Sequence, residues 1–128
     1  MEILVKTNQK QAFIDITNNI NKLLKIKNGI CIVYCPHTTA GLTINEGADP
    51  NVKQDILDAL DELTPKLNYK HMEGNSPAHI KSSLMGNSLN IIIENGELKL
   101  GTWQSIYFCE FDGPRQRKIF IKFLGDKN

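Results

Sequence analysis

The chain's three histidines, His37, His71 and His79, all fall outside any apolar pattern. His37 lies in the polar run Pro36-His37-Thr38-Thr39-Ala40-Gly41. His71 and His79 lie in Tyr69–His79, which reads YKHMEGNSPAH and shows neither helical nor strand periodicity. Carboxylates accompany them at Glu46, Asp49 and Glu73. Three imidazoles with a carboxylate are a donor set for zinc or a similar divalent ion, with one position left for water or substrate. The step from His71 to His79 matches no standard motif such as H-E-x-x-H. The plainer alternatives are loop-ordering hydrogen bonds for the histidines and a helix cap for Asp49.

A second group is basic. Arg115-Gln116-Arg117-Lys118 follows the turn Asp112-Gly113-Pro114-Arg115. Guanidinium forks bind carboxylate or phosphate in a bidentate way, so a phosphorylated substrate could be held here. The same charges would equally protect an edge strand from sheet-to-sheet pairing. Gly101-Thr102-Trp103-Gln104 could place a ring and an amide beside a pocket, although core or subunit interface is the more ordinary place for a tryptophan. No glycine-rich phosphate loop, nucleotide fingerprint or nucleophile elbow is present.

The elements that must position these groups can be read from pattern. Residues 2–7 and 11–16 read as strands joined in a hairpin through Asn8-Gln9-Lys10. A helix opens at Thr17 or Asn18, carries Ile16, Ile20, Leu23 and Leu24 on one face, and ends at Asn28-Gly29. Ile30–Cys35 is apolar at both parities, a strand expected to be covered on both sides, within the domain or by another subunit. Leu42–Asn45 reads as a further strand. Asp49-Pro50 opens the clearest helix, with Val52, Ile56, Ala59, Leu60 and Leu63 as its stripe and Pro65 as its stop. A short helix from Pro77 to Met85 is capped by Ser76, ended by Gly86, and turns Ile80 and Leu84 inward. It places His79 in its first turn, near the positive end of the helix dipole, where the neutral imidazole is favoured. Strands follow at 88–94, 97–100, 102–111 and 116–124, the first two joined by Asn95-Gly96, a strong hairpin signal. This order predicts an α+β domain with a mainly antiparallel β-sandwich and two to three helices, spanning residues 1–128.

Composition narrows the function. A length of 128 residues suits one domain with a core of its own. The net charge of +1 argues against a general nucleic-acid binder. No apolar run approaches a membrane span, and the N-terminus lacks a signal-peptide layout, so a cytoplasmic protein is expected. Cys31, Cys35 and Cys109 form no CxxC pair and read as small core hydrophobes.

Taken together, Pro36-His37-Thr38-Thr39-Ala40, Asn45-Glu46, Asp49-Pro50, His71 to Gly74-Asn75, Ala78-His79, Gly101-Thr102-Trp103-Gln104 and Asp112-Gly113-Pro114-Arg115 resemble the YjbQ family over nearly the whole chain. The resemblance implies a trimer-forming β-sandwich fold and a site of gathered histidines and acids, metal-bearing in some members. It further implies a weak, secondary thiamine-phosphate synthase activity, joining a pyrimidine diphosphate to a thiazole phosphate. In that reading His37, His71 and His79 hold zinc or magnesium. Glu46, Asp49, Asn75 and Gln104 are the catalytic candidates, and Asn45, Arg115 and Arg117 contact substrate. No organic cofactor is expected. The expected partners are two further copies of the chain and a small phosphorylated metabolite. The alternatives are a non-catalytic binder of an anionic metabolite and a metal-dependent hydrolase.

Overall fold

Two antiparallel sheets form the body of the protein, which a computed structural model describes over residues 1–126. The strands are β1 (Glu2–Lys6), β2 (Ala12–Asp15), β3 (Gly29–Tyr34), β4 (Ala40–Glu46), β5 (Ser88–Glu94), β6 (Glu97–Leu98), β7 (Gln104–Glu110) and β8 (Gln116–Gly125). The helices are α1 (Thr17–Asn21), α2 (Pro50–Leu63) and α3 (Ser76–Met85). One sheet has the order β1-β8-β3-β5-β6 and the other β2-β7-β4. The α+β class with mainly antiparallel sheets is therefore as the sequence pattern predicts.

The main core lies between the sheets. It takes Ile3 and Val5 from β1, Cys31 and Val33 from β3, Leu42 from β4, Ile106 and Phe108 from β7, and Ile119 and Ile121 from β8. The other face of the small sheet turns Phe13, Tyr107, Cys109 and Phe111 toward Leu57, Leu60 and Ala78 of α2 and α3. So β7 is buried on both faces, which explains its near-continuous apolar run. All three cysteines are free and buried. Burial pushes the Cys31 thiol up to about 11 and raises those of Cys35 and Cys109. They are kept as unreactive thiols.

Several local expectations change. β1 and β2 form no hairpin: β1 pairs with β8 and β2 with β7, so the chain crosses from one sheet to the other between them. α1 stops at Asn21, and Leu23, Leu24 and Ile26 reach the core from the irregular stretch that follows it. Gly29 belongs to β3, with φ 148 and a hypothetical Cβ only 1.9 Å from the Leu124 carbonyl oxygen. Within the protomer β3 is covered on one face, so cover of the other would have to come from another subunit. Cys31 and Val33 are buried while Ile30 and Tyr34 are exposed.

α2 begins as its cap predicts, with Asp49 Oδ1 accepting from Asn51 N–H at 2.9 Å. Its buried side is Leu57 and Leu60, whereas Leu63 is exposed. α3 is preceded by Asn75 rather than capped by Ser76, and no side chain caps it. It buries Ala78, Lys81 and Ser82, while Leu84 points to solvent.

α3 is pinned to β4 closely enough to set the position of His79. Ser82 Oγ donates to Ala40 O at 2.7 Å, and Leu42 N–H donates to Gly86 O at 3.0 Å. Gly41 makes this approach possible, since a Cβ there would stand 2.8 Å from Gly86 O and 2.9 Å from Met85 Cβ. Gly41→Ala is expected to push α3 outward and cost about 1–3 kcal/mol in urea unfolding.

Candidate functional site

The three histidines do come together. A cavity of about 390 Å3 is lined by His37, His71 and His79, with Glu73, Asn75 and Arg115 among the other polar side chains around it. That volume is in the range of small-ligand pockets. Three separate segments supply it: the loop after β3, the loop before α3 with its first turn, and the start of β8 with the turn before it.

Each segment is held by identifiable contacts. His37 Nε2 lies 3.1 Å from both the N–H and the carbonyl oxygen of Lys118. It accepts from the first or donates to the second, according to the tautomer. Burial first, then the nearby Arg117 charge, lowers its pKa, so the neutral ring is favoured. His71 and His79 meet edge-to-face with ring centroids 5.3 Å apart. Asn75 Nδ2 donates to Asp112 Oδ2 at 3.0 Å, which ties the histidine loop to the turn before β8. The same Asp112 carboxylate accepts from Arg115 Nη2 at 2.9 Å. Burial alone would raise the Asp112 carboxyl, but these two partners outweigh it and hold it below the usual range.

The two arginines differ. Arg117 is buried and turned inward, donating through Nε to Glu110 Oε1 at 2.8 Å, through Nη2 to Glu110 Oε2, and to Thr39 Oγ1 at 3.0 Å. It still lines the cavity beside Thr39, with Nε and Nη2 committed to these partners. β8 is an interior strand, so the basic run does not guard an edge. Arg115 is exposed and uses two of its N–H groups on Asp112, which leaves three of a guanidinium's five. Of the two arginines lining the cavity, Arg115 is the exposed one with most N–H groups uncommitted.

The remaining sequence candidates lie elsewhere. β4 and β7 run antiparallel with Ala40 opposite Glu110 and Glu46 opposite Gln104. Asn45, Glu46 and Gln104 therefore sit about 20 Å along the strands from Thr39 and Glu110. Each has a local task there. Asn45 Oδ1 accepts from Glu46 N–H, Glu46 Oε2 from Ala48 N–H, and Gln104 Oε1 from Gly101 N–H at 2.7 Å. Asp49 caps α2. Trp103 shares that end and is 65% exposed, so it is not a core residue of this protomer.

Glu110 and Thr39 are the residues the sequence reading missed. The one signal for Glu110 was a carboxylate inside the apolar run Ile106–Phe111, which demands a buried partner.

For a metal the donor set fits in part. Two imidazoles sharing a tetrahedral zinc have centroids about 5 Å apart, given Zn–N distances of about 2.1 Å, and His71 and His79 stand at that spacing. Among the described residues, however, no three His, Cys, Asp or Glu side chains are gathered closely enough to hold an ion. His37 faces the same cavity with Nε2 engaged at Lys118. No chemical step is therefore routed through a metal.

A two-sheet α+β protein with a histidine-lined, arginine-edged surface cavity is the class these features define. Residues 1–126 match the family model described as "UPF0047 protein YjbQ-like". The chain belongs to the UPF0047 (YjbQ-like) family. It is 55% identical to the UPF0047 protein MJ1081 of Methanocaldococcus jannaschii, covering 96% of this chain and 92% of that one. With the UPF0047 protein YugU of Bacillus subtilis the identity is 54%, over 94% and 96% of the two chains. Among solved structures, an uncharacterised YjbQ/UPF0047 protein of Clostridium acetobutylicum superposes with a TM-score of 0.93 at 59% identity, covering 97% and 99%. A conserved hypothetical protein of Thermus thermophilus gives 0.92 at 43%, covering 97% and 99%.

Proposed function

We propose that the cavity binds a small phosphorylated metabolite and performs acid–base chemistry on it. The convergence of His37, His71 and His79 with Arg115 on one cavity carries this reading. Arg115 holds the phosphate through its remaining N–H groups. His71 and His79 give and take the proton, and Glu73 is the carboxylate at hand. In the thiamine-phosphate synthase version of this chemistry, Arg115 steadies the departing pyrophosphate. Glu46 and Asp49 take no part within one protomer in this reading, because the β4–β7 register carries Glu46 to the far end of the sheet and Asp49 caps α2 beyond it.

The test is formation of thiamine phosphate from the pyrimidine diphosphate and the thiazole phosphate, with and without zinc or magnesium. Turnover that survives replacement of both His71 and His79 overturns the reading. A second reading, a binder without turnover, is favoured by the distance of Glu46 and Asp49 from the histidines. Stabilisation by a phosphorylated ligand in a thermal-shift experiment, with no product formed, selects it.

We also propose that the chain assembles as a homotrimer through the outer face of the large sheet. On that face Tyr34 stands beside Phe120 and Ile30 between Leu124 and Ile92, all exposed in the protomer. A contiguous apolar face of this kind needs cover, and charges of both signs on the same face, Glu2, Glu94, Lys118 and Lys122, suit a copy of itself. Light scattering at micromolar concentration is expected to give three times the 14.4 kDa chain mass, and Phe120→Lys to shift it to monomer. A wild-type monomer overturns the assembly.

A further inference from the structure

The histidines do not close the cavity; they stand at its middle. A second hollow of about 550 Å3 opens beyond them, and His37, Thr38 and His79 line both. The two hollows are thus halves of one trough with imidazoles at its waist. Either half is far larger than a phosphate ion, so a ligand that fills both is elongated.

The halves differ in chemistry. The first carries Arg115, Arg117 and Glu73. Beyond His37, Thr38 and His79, the second is lined only by Ser82, Ser83, Gly86 and Asn87, with no charged residue. Ser82 Oγ is committed to Ala40 O at 2.7 Å. Ser83 Oγ donates to His79 O at 3.0 Å, which leaves its lone pairs to accept. The exposed side-chain amide of Asn87 has no hydrogen-bond partner among the described residues, so it offers a donor and an acceptor. At Gly86 a Cβ would meet nothing within 4 Å, so bare backbone borders open space. This half suits an uncharged group bearing hydroxyls or an amide-like edge. A plain hydrocarbon would strip water from Ser83 and Asn87 and return no hydrogen bond.

We propose that the trough binds its phosphorylated metabolite lengthwise. The phosphate sits at Arg115, a hydroxyl- or amide-bearing neutral half lies against Ser83 and Asn87, and the linking bond crosses His37 and His79. This rests on the phosphate-binding reading above and makes Asn87 and Ser83 the residues that set specificity. The experiment is calorimetric titration with two hydroxylated probes, ribose 5-phosphate and glycerol 3-phosphate, and two alkyl probes, pentyl phosphate and propyl phosphate. Wild type is expected to bind the hydroxylated probes at least tenfold more tightly than the alkyl ones. Asn87→Leu, at an exposed position, is expected to keep the melting temperature and lose that preference. Arg115→Ala is expected to weaken all four alike.

If no probe binds wild type, the phosphate reading itself fails and the inference with it. If all four bind wild type equally, or Asn87→Leu keeps the preference, only the lengthwise assignment is overturned.

Discussion

Arg117→Ala is expected to lower the unfolding free energy by about 3–5 kcal/mol, the usual cost of leaving one member of a buried ion pair alone. Glu110 has no exposure at all. Its carboxylate accepts from Thr7 Oγ1 at 2.7 Å, from Asp112 N–H at 3.1 Å, and from Nε and Nη2 of Arg117. Without the guanidinium, a carboxylate would remain among apolar strands with only a hydroxyl and one amide. Glu110→Leu combined with Arg117→Met removes both charges and is expected to recover most of the loss. Urea denaturation of the two single variants and the double variant measures this directly. A double variant as unstable as the singles would show that the site needs the charges themselves.

The same pair gives an acid limit. Burial raises the Glu110 carboxyl, but the hydrogen bonds from Arg117 and Thr7 outweigh it and the net shift is downward. A carboxyl depressed in the folded state binds fewer protons there than in the unfolded chain. Its contribution is therefore complete above the ordinary carboxylate range and falls away as pH drops through the folded value. Wild type is expected to lose stability more steeply than the double variant below about pH 4.5.

What was legible in the sequence was local. Asp49-Pro50 announced α2 because cap and first turn are neighbours in the chain. Asn95-Gly96 announced the β5–β6 hairpin because both residues adopt positive φ, 53 and 78. The convergence of the histidines could be suspected, since polar loops on a sandwich gather at few places.

What stayed hidden depended on pairing. Nothing near Asn8 says that β1 and β2 enter different sheets. Nothing near Glu46 or Gln104 says that the β4–β7 register carries them away from the histidines. α2 offers Ala59 and Leu63 as plausibly as Leu57; the neighbours it meets, Phe13, Tyr107 and Phe111, decide which side is buried. Arg115 and Arg117 look equivalent two residues apart, yet Arg115 lies in the turn before β8 and stays exposed, whereas Arg117 is inside the strand on its buried face.

His79→Ala is expected to lower kcat/KM for the phosphorylated substrate by about 10²–10⁴, the span of a lost general acid or base. The effect should exceed that of His71→Ala, because His79 borders both halves of the trough and His71 only one. The fold should tolerate the change. α3 is held by Ala78, Lys81 and Ser82, and the Ser83 Oγ bond goes to the backbone oxygen of residue 79, which alanine keeps. A matching melting temperature therefore certifies the comparison. The kinetic split then discriminates between two roles for His79. If His79 moves a proton in the transition state, kcat falls while KM stays near wild type; if it only touches the bound ligand, KM rises and kcat stays. Arg115→Ala reads its own role on the same axes: a phosphate held equally in ground and transition states appears in KM alone, whereas steadying a departing pyrophosphate lowers kcat as well.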